Sequence, residues 1–298
     1  MAVASVFAGS IAAAAAPVRA TPVELAAQAS SAFSVATSQA GRASNAGPRQ
    51  AVRVDLVAAD SSLLLGRKQW LGLRFVLEPG WHIYWVNPGD SGGPPTVKWS
   101  LPPGFTAGQF EWPTPERIGE PPIVNYGYHG EVTLPFELSV PAAAETSGPA
   151  VIGGDVRYLI CRDVCVPGRT RVEVVFPPTA RAGGAVGAGR AAIDGARARV
   201  PKPAPQAWQV RAHSQAERFI LEIDTGQNER NAHFFPLEAS QIDDGAPPGI
   251  TPTPRGVRFE LRKSAQLLKD PAALRGVLTL SSGQSFVVQA PITGLAAR

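Results

Sequence analysis

The sequence predicts an all-β protein: a β-sandwich followed by a second, smaller β-sandwich domain. Two observations predict it. Short runs that alternate apolar and polar residues recur from residue 51 onward, each bounded by Gly, Pro or Asn. Thirty glycines and 29 prolines punctuate the 298 residues, a turn-rich composition that argues against long helices. With 44% of its residues hydrophobic and 17% charged, the chain has ample material for two cores.

Residues 1–20, MAVASVFAGSIAAAAAPVRA, are small and apolar and end in Val-Arg-Ala, which reads as a secretory signal segment without its basic start. Residues 21–50 are rich in Ala, Ser, Gln and Gly and read as a flexible lead-in. Residues 51–180 hold the first set of strand signals: AVRVDLVAA, WLGLRFVLE, HIYWV, TVKWSL, VTLPFELSV, VRYLI and TRVEVVF. Residues 181–206 break the alternation; an Ala/Arg/Gly-rich stretch suggests a short helix around 188–199 and then a proline-rich linker. Strand signals return over 207–298 as AWQVRAH, RFILEI, AHFFPL, GVRFELRK, GVLTLSS and SFVVQAPI. That second domain has no cysteine and no convergent polar motif, so a structural or interaction role is expected of it. No stretch after the signal segment approaches the ~18 apolar residues a membrane helix needs, so no span is expected in the mature chain.

The net charge is +4, from 28 basic and 24 acidic residues. The densest basic cluster, Arg190, Arg197, Arg199 and Lys202, sits beside Pro201 and Pro203 and reads as a solvated linker, so no nucleic-acid partner is expected.

Residues 89–94, GDSGGP, spell the nucleophile signature of trypsin-like serine proteases. That chemistry needs a histidine base and an orienting aspartate from an earlier half-barrel. The one histidine before Ser91 is His82, nine residues away, and the preceding chain is too short for the missing strands. Asn-Pro-Gly-Asp-Ser-Gly-Gly-Pro-Pro is instead a recipe for consecutive tight turns.

The two cysteines, Cys161 and Cys165, lie in YLICRDVCVPGRT. An even count in an exported chain favours a disulfide over free thiols. On an extended strand the pair would be ~13 Å apart, so CRDVC must curl into a hairpin turn, with Pro167-Gly168 helping to close it. A five-residue loop gives a bridge only about 2 kcal/mol of entropic stabilisation. The spacing therefore points first to a redox-active pair, with a structural staple and a metal site left open. His82 and His129 could in principle join the cysteines around a metal. The short Cys-x₂-Cys spacing is absent, however, and each histidine alone reads as an ordinary residue.

Three stretches, PGWHIYWVNPGDSGGPPTVKWSLPPGF, EWPTPERIGEPPIVNYGYHGEVTLPFELSVPA and VRYLICRDVCVPGRTRVEVVFP, together resemble the N-terminal periplasmic domain of the thiol:disulfide interchange protein DsbD. The branch they resemble is that of the suppressor-of-copper-sensitivity protein ScsB. HFFPLEASQIDDGAPP in the second domain is similar to the same branch. The resemblance implies an immunoglobulin-like sandwich and a periplasmic thiol:disulfide oxidoreductase. It implies Cys161 and Cys165 as the redox pair, with Cys165 forming the mixed disulfide. Trp81, Tyr84, Tyr126 and Tyr128 are expected to line or shield the pair. The partners implied are thioredoxin-like periplasmic proteins and a membrane electron-transfer protein; no cofactor and no metal are implied. Arg162 and Arg169 are expected to favour a thiolate and Asp163 to oppose it. Leu159, Ile160, Val164 and Val166 are expected to desolvate it. The family's membrane-spanning domain and thioredoxin-like domain have no counterpart in these 298 residues, and its better-known members space the two cysteines more widely.

Overall fold

A computed structural model describes residues 51–143, 148–178 and 185–293. The signal segment and the lead-in expected over residues 1–50 lie outside these. The first strands are β1 (Val52–Ala58), β2 (Lys68–Leu77), β3 (His82–Gly89), β4 (Thr96–Ser100), β5 (Thr106–Ala107), β6 (Glu116–Ile118), β7 (Asn125–His129), β8 (Glu131–Ser139), β9 (Ala150–Cys161) and β10 (Cys165–Phe176). They form two sheets, one in the order β1-β2-β8-β5, the other β10-β9-β3-β7-β6 with β4 alongside β9. Alternation explains the layering. Leu71, Leu73 and Phe75 of β2 and Leu134 and Phe136 of β8 meet Ile83 and Trp85 of β3 and Ile152, Val156 and Ile160 of β9 in one core. The first sheet pair is thus the immunoglobulin-like sandwich expected.

A single helix occurs among the described residues, α1 (Arg190–Arg197). Ile193 and Ala196, three apart, are its buried residues, and it packs against β2 and β8. The solvated linker anticipated from the basic cluster is therefore docked. Arg190 pairs with Asp60 and donates to the Ala59 carbonyl. The Arg197 guanidinium stacks 3.8 Å over the Trp70 ring. Planar arginine heads can cover aromatic surface while staying hydrated, which composition alone does not reveal.

The remaining strands are β11 (Lys202–Pro203), β12 (Gln209–Gln215), β13 (Arg218–Asp224), β14 (His233–Pro236), β15 (Gly249–Thr253), β16 (Gly256–Arg262), β17 (Ala273–Thr279) and β18 (Ser285–Thr293). Their order is β14-β17-β18-β12-β13-β16-β15, with β11 beside β18. The path folds over itself: Phe234 of β14 and Phe259 of β16, near opposite ends, bring their rings to 6.1 Å around a second core.

The two cores touch through a specific segment. Phe235 and Val277 of the later strands join the first core. Phe235 packs edge-on against Trp85 at 6.5 Å and Tyr126 at 5.6 Å. Asn87 donates to the Pro236 carbonyl at 2.9 Å.

Candidate functional site

The hairpin β9–β10 brings the two cysteines into direct register, Cys161 opposite Cys165, joined as a disulfide with 4.1 Å between their Cα atoms. The turn is the three residues Arg162–Val164, closed by an Arg162 N–H donating to the Val164 carbonyl at 3.3 Å. Pro167 and Gly168 do not make the turn; they lie inside β10, opposite Leu159 and Tyr158. Pro167 is tolerated there because β10 is an edge strand.

Register also fixes which side chains share the cysteine face. His82 of β3 is opposite Cys161, and His129 of β7 is opposite His82. Successive residues of a strand point to opposite faces, so His82 and Tyr84 lie with the cysteines while Ile83 and Trp85 enter the core. The Tyr84 hydroxyl donates to Cys161 Sγ at 2.7 Å and lies 3.4 Å from Cys165 Sγ. Burial raises the Tyr84 pKa above its usual value, outweighing the hydrogen bond with Ser91 that lowers it, so the phenol stays a donor. His82 is buried beside the Tyr84 ring at 5.3 Å and the His129 ring at 5.7 Å. Burial, with a smaller contribution from His129, holds its imidazole below the usual pKa.

The two sulfurs differ in access. Cys161 is 3% exposed, whereas Cys165 stands on the surface. Val164 and Val166, expected to desolvate the pair, are themselves exposed and form an apolar rim beside Cys165. Ile160 faces the core. The flanking charges are spoken for. Arg162 donates to Asp163 at 2.9 Å and lies 5.1 Å over the Trp81 ring, while Arg169 is 3.7 Å from Asp155. Trp81 thus meets the turn through Arg162.

Tyr126 and Tyr128 do not line the pair, and that expectation is corrected. Tyr128 is opposite Ile83, and both tyrosines belong to the core. The Tyr128 hydroxyl donates to the Pro113 carbonyl at 2.6 Å, and that of Tyr126 to Asp244 at 2.9 Å. Strand parity decides this: an even-numbered residue of β7 faces inward, whatever its chemistry.

The GDSGGP segment proves to be a turn packed on the site. Gly92 has φ +88, and a Cβ there would sit 2.1 Å from Cζ of Tyr84, so only glycine lets the turn lie against that ring. Ser91 Oγ donates to Asn125 Oδ1 at 3.0 Å, and Asp90 accepts from the Val124 N–H at 2.8 Å. Neither contact is that of a nucleophile with a base. Sequence reasoning missed this cover and read His82 as an ordinary residue. The signal for His82 was available in the alternation of HIYW, which puts it on the same face as Tyr84.

Residues 50–177 match the family described as thiol:disulfide interchange protein DsbD, N-terminal. The crystal structure of the N-terminal periplasmic domain of ScsB from Proteus mirabilis is similar over 81% of this chain and 91% of that one, with a TM-score of 0.59 and 20% identity, a likeness of fold. The DsbD N-terminal domain of Neisseria meningitidis, in the reduced form, aligns with 45% of this chain and 94% of its own at 18% identity and a TM-score of 0.27. No curated protein sequence matches the chain. In sequence, residues 50–177 are similar to the DsbD N-terminal family, and in fold the chain is similar to the N-terminal periplasmic domain of ScsB.

Proposed function

We propose that the chain is a periplasmic thiol:disulfide exchange module, an oxidoreductase that relays electrons through Cys161 and Cys165 from a membrane electron-transfer protein to thioredoxin-like proteins. The observation that carries this reading is the unequal access of the two sulfurs, one on an apolar rim and one beneath a tyrosine hydroxyl. A bridge serving only as a staple needs no such division. The domain organisation fits the same reading, with residues 51–180 carrying the exchange site and 207–298 bracing it.

The exchange balances as follows. In the reduced pair, the Cys165 thiolate attacks one sulfur of the partner's disulfide, forming a mixed disulfide and expelling a partner thiolate. Cys161, as its thiolate, then attacks the Cys165 sulfur, closing the intramolecular bridge and releasing the partner's second thiolate. Two electrons pass to the partner, and the two thiol protons of the pair end on the partner's thiols. The donor restores the pair by the reverse exchange. With the bridge closed the Tyr84 hydroxyl donates to Cys161 Sγ, and a bond of that kind stabilises a charge developing there more strongly than it does the neutral bridge.

The deciding measurement is the reduction potential of the pair, read by equilibration with a glutathione or thioredoxin couple. An exchange bridge should lie well above about −300 mV, and a value below that assigns the bridge a structural role instead.

A further inference from the structure

One row of side chains crosses four neighbouring strands: His129 on β7, His82 on β3, Cys161 on β9 and Cys165 on β10, each opposite the next. Two are histidines and two are cysteines, the donor set that binds thiophilic d¹⁰ cations. The imidazole of His82 is 6% exposed, and its Nε2 is buried with no hydrogen-bond partner. A buried nitrogen left unpaired calls for an explanation. His129 is different, since its Nδ1 is 3.1 Å from a Glu116 carboxylate oxygen.

We propose that the reduced pair and the His82 imidazole together bind a single thiophilic cation, Zn²⁺ or Cu⁺. Reach decides the ligand count. With metal–sulfur and metal–nitrogen bonds of ~2.3 and ~2.0 Å, a cysteine holds a metal about 5 Å from its Cα and a histidine about 6 Å. Strands lie ~4.8 Å apart, so His82 and Cys165, two spacings apart, can meet at one ion. His129 and Cys165, three spacings apart, cannot. The site therefore has two sulfurs, one nitrogen and one open position, with His129 stacked on the ligand histidine at 5.7 Å.

Oxidation state gates the site. With the bridge closed the sulfurs are bonded to each other and uncharged, so neither is available as a thiolate ligand. On reduction, binding breaks two S–H bonds and forms two metal–sulfur bonds. Two protons are released and no electron moves. The bound cation occupies both thiolates, so a loaded pair cannot attack a partner disulfide. The inference rests on the exchange reading in one respect, that the pair can be reduced in the folded chain.

The test uses the full chain, reduced with a phosphine and freed of it under nitrogen. Titration of two thiols per chain reads reducibility on its own: a pair that stays oxidised overturns both readings, whereas a reducible pair that takes up no cation overturns the site alone. Zn²⁺ is then titrated against a chromophoric chelator, and Cu⁺ is supplied from its bicinchoninate complex. Reduced protein should take up one equivalent of at least one of them and oxidised protein none; which cation competes identifies the occupant. His82→Gln should weaken binding by at least 30-fold, and His82→Cys, which restores a ligand, should recover it. Where a variant fails to fold, X-ray absorption of the loaded wild type should show two sulfurs and one imidazole. No binding by reduced protein, His82→Gln binding within threefold of wild type, or a spectrum without imidazole scattering would each overturn the proposal.

Discussion

Removing the cysteines one at a time should expose the division of labour between them. The Cys161→Ala variant leaves Cys165 on the apolar rim with no neighbouring thiol to resolve a mixed disulfide. The Cys165→Ala variant leaves only the buried sulfur, 3% exposed. A partner reaching that sulfur must displace the Tyr84 hydroxyl, and the turn packed on the Tyr84 ring must give way, releasing at the least the Ser91 Oγ–Asn125 hydrogen bond. At about 1 kcal/mol net for each hydrogen bond the opening costs about 2 kcal/mol, which is roughly 30-fold in rate at ~1.4 kcal/mol per decade. Cys165 requires neither rupture.

The assay is a time course on non-reducing gels, with each single variant mixed with an oxidised thioredoxin-like protein. Cys161→Ala should accumulate the mixed disulfide at least ~30-fold faster than Cys165→Ala, the rate ratio that the opening cost implies. Adding Tyr84→Phe to Cys165→Ala should recover about fivefold, the worth of one hydrogen bond. Equal trapping by the two single variants, or faster trapping by Cys165→Ala, would refute the assignment of Cys165 as the exchanging residue.

Gly92→Val forces a branched side chain into φ +88 and into the Tyr84 ring, so the turn should lift and alkylation of reduced Cys161 should quicken by about tenfold, read by mass spectrometry. Burial, helped by Asp90, pushes the Asp244 carboxyl up to about 6 despite its hydrogen bond from Tyr126. An unfolded aspartate titrates near ~3.9, so the folded state binds this proton more tightly and loses stability as pH rises from about 4 through 6. Asp244→Asn should therefore melt above wild type at pH 7.5, by on the order of 2–3 kcal/mol, with the gap closing towards pH 4; a gap that ignores pH would contradict the sign. Reduction should leave the chain folded, because a five-residue loop contributes only about 2 kcal/mol; melts with and without reductant should differ by about 5 °C.

The elements most legible in the sequence were those with strict two-residue alternation. WLGLRFVLE and VTLPFELSV gave β2 and β8 because each has a clean apolar face, and CRDVC gave its hairpin because extended chain cannot close a disulfide. Of the residues singled out in the sequence, the two cysteines and Tyr84 come together, whereas Tyr126 and Tyr128 lie in the core. Those two were grouped with Tyr84 by aromatic character, whereas register sorts by parity, and β7 pairs with β3 so that its even positions face inward. His82 was set aside for the converse reason. A lone histidine carries little signal until the strand opposite it is known, and the pairing of His82 with Cys161 spans 79 residues of sequence. GDSGGP was correctly a turn, but its role as cover for Tyr84 depends on a close approach that only coordinates reveal.

The same parity gives the later strands a mechanical connection to the site. β3 presents His82 and Tyr84 to the disulfide and, from the other face, Ile83 and Trp85 to the core. Its far end is gripped from the later strands: Phe235 lies edge-on to Trp85, and Asn87 donates to the Pro236 carbonyl. The 90–93 turn follows directly, and Asp90 ties it to Val124, two residues before the Tyr126 that bonds Asp244. HFFPLEASQIDDGAPP therefore holds both the strand that carries Tyr84 and the neighbour of the turn that covers it. A hydroxyl can favour one sulfur over another only if its backbone cannot drift, since hydrogen-bond strength falls steeply with misalignment. Phe235 and the Pro236 carbonyl hold β3 at the end remote from the cysteines, so Tyr84 and the turn over it are the parts that must yield for a partner to reach Cys161.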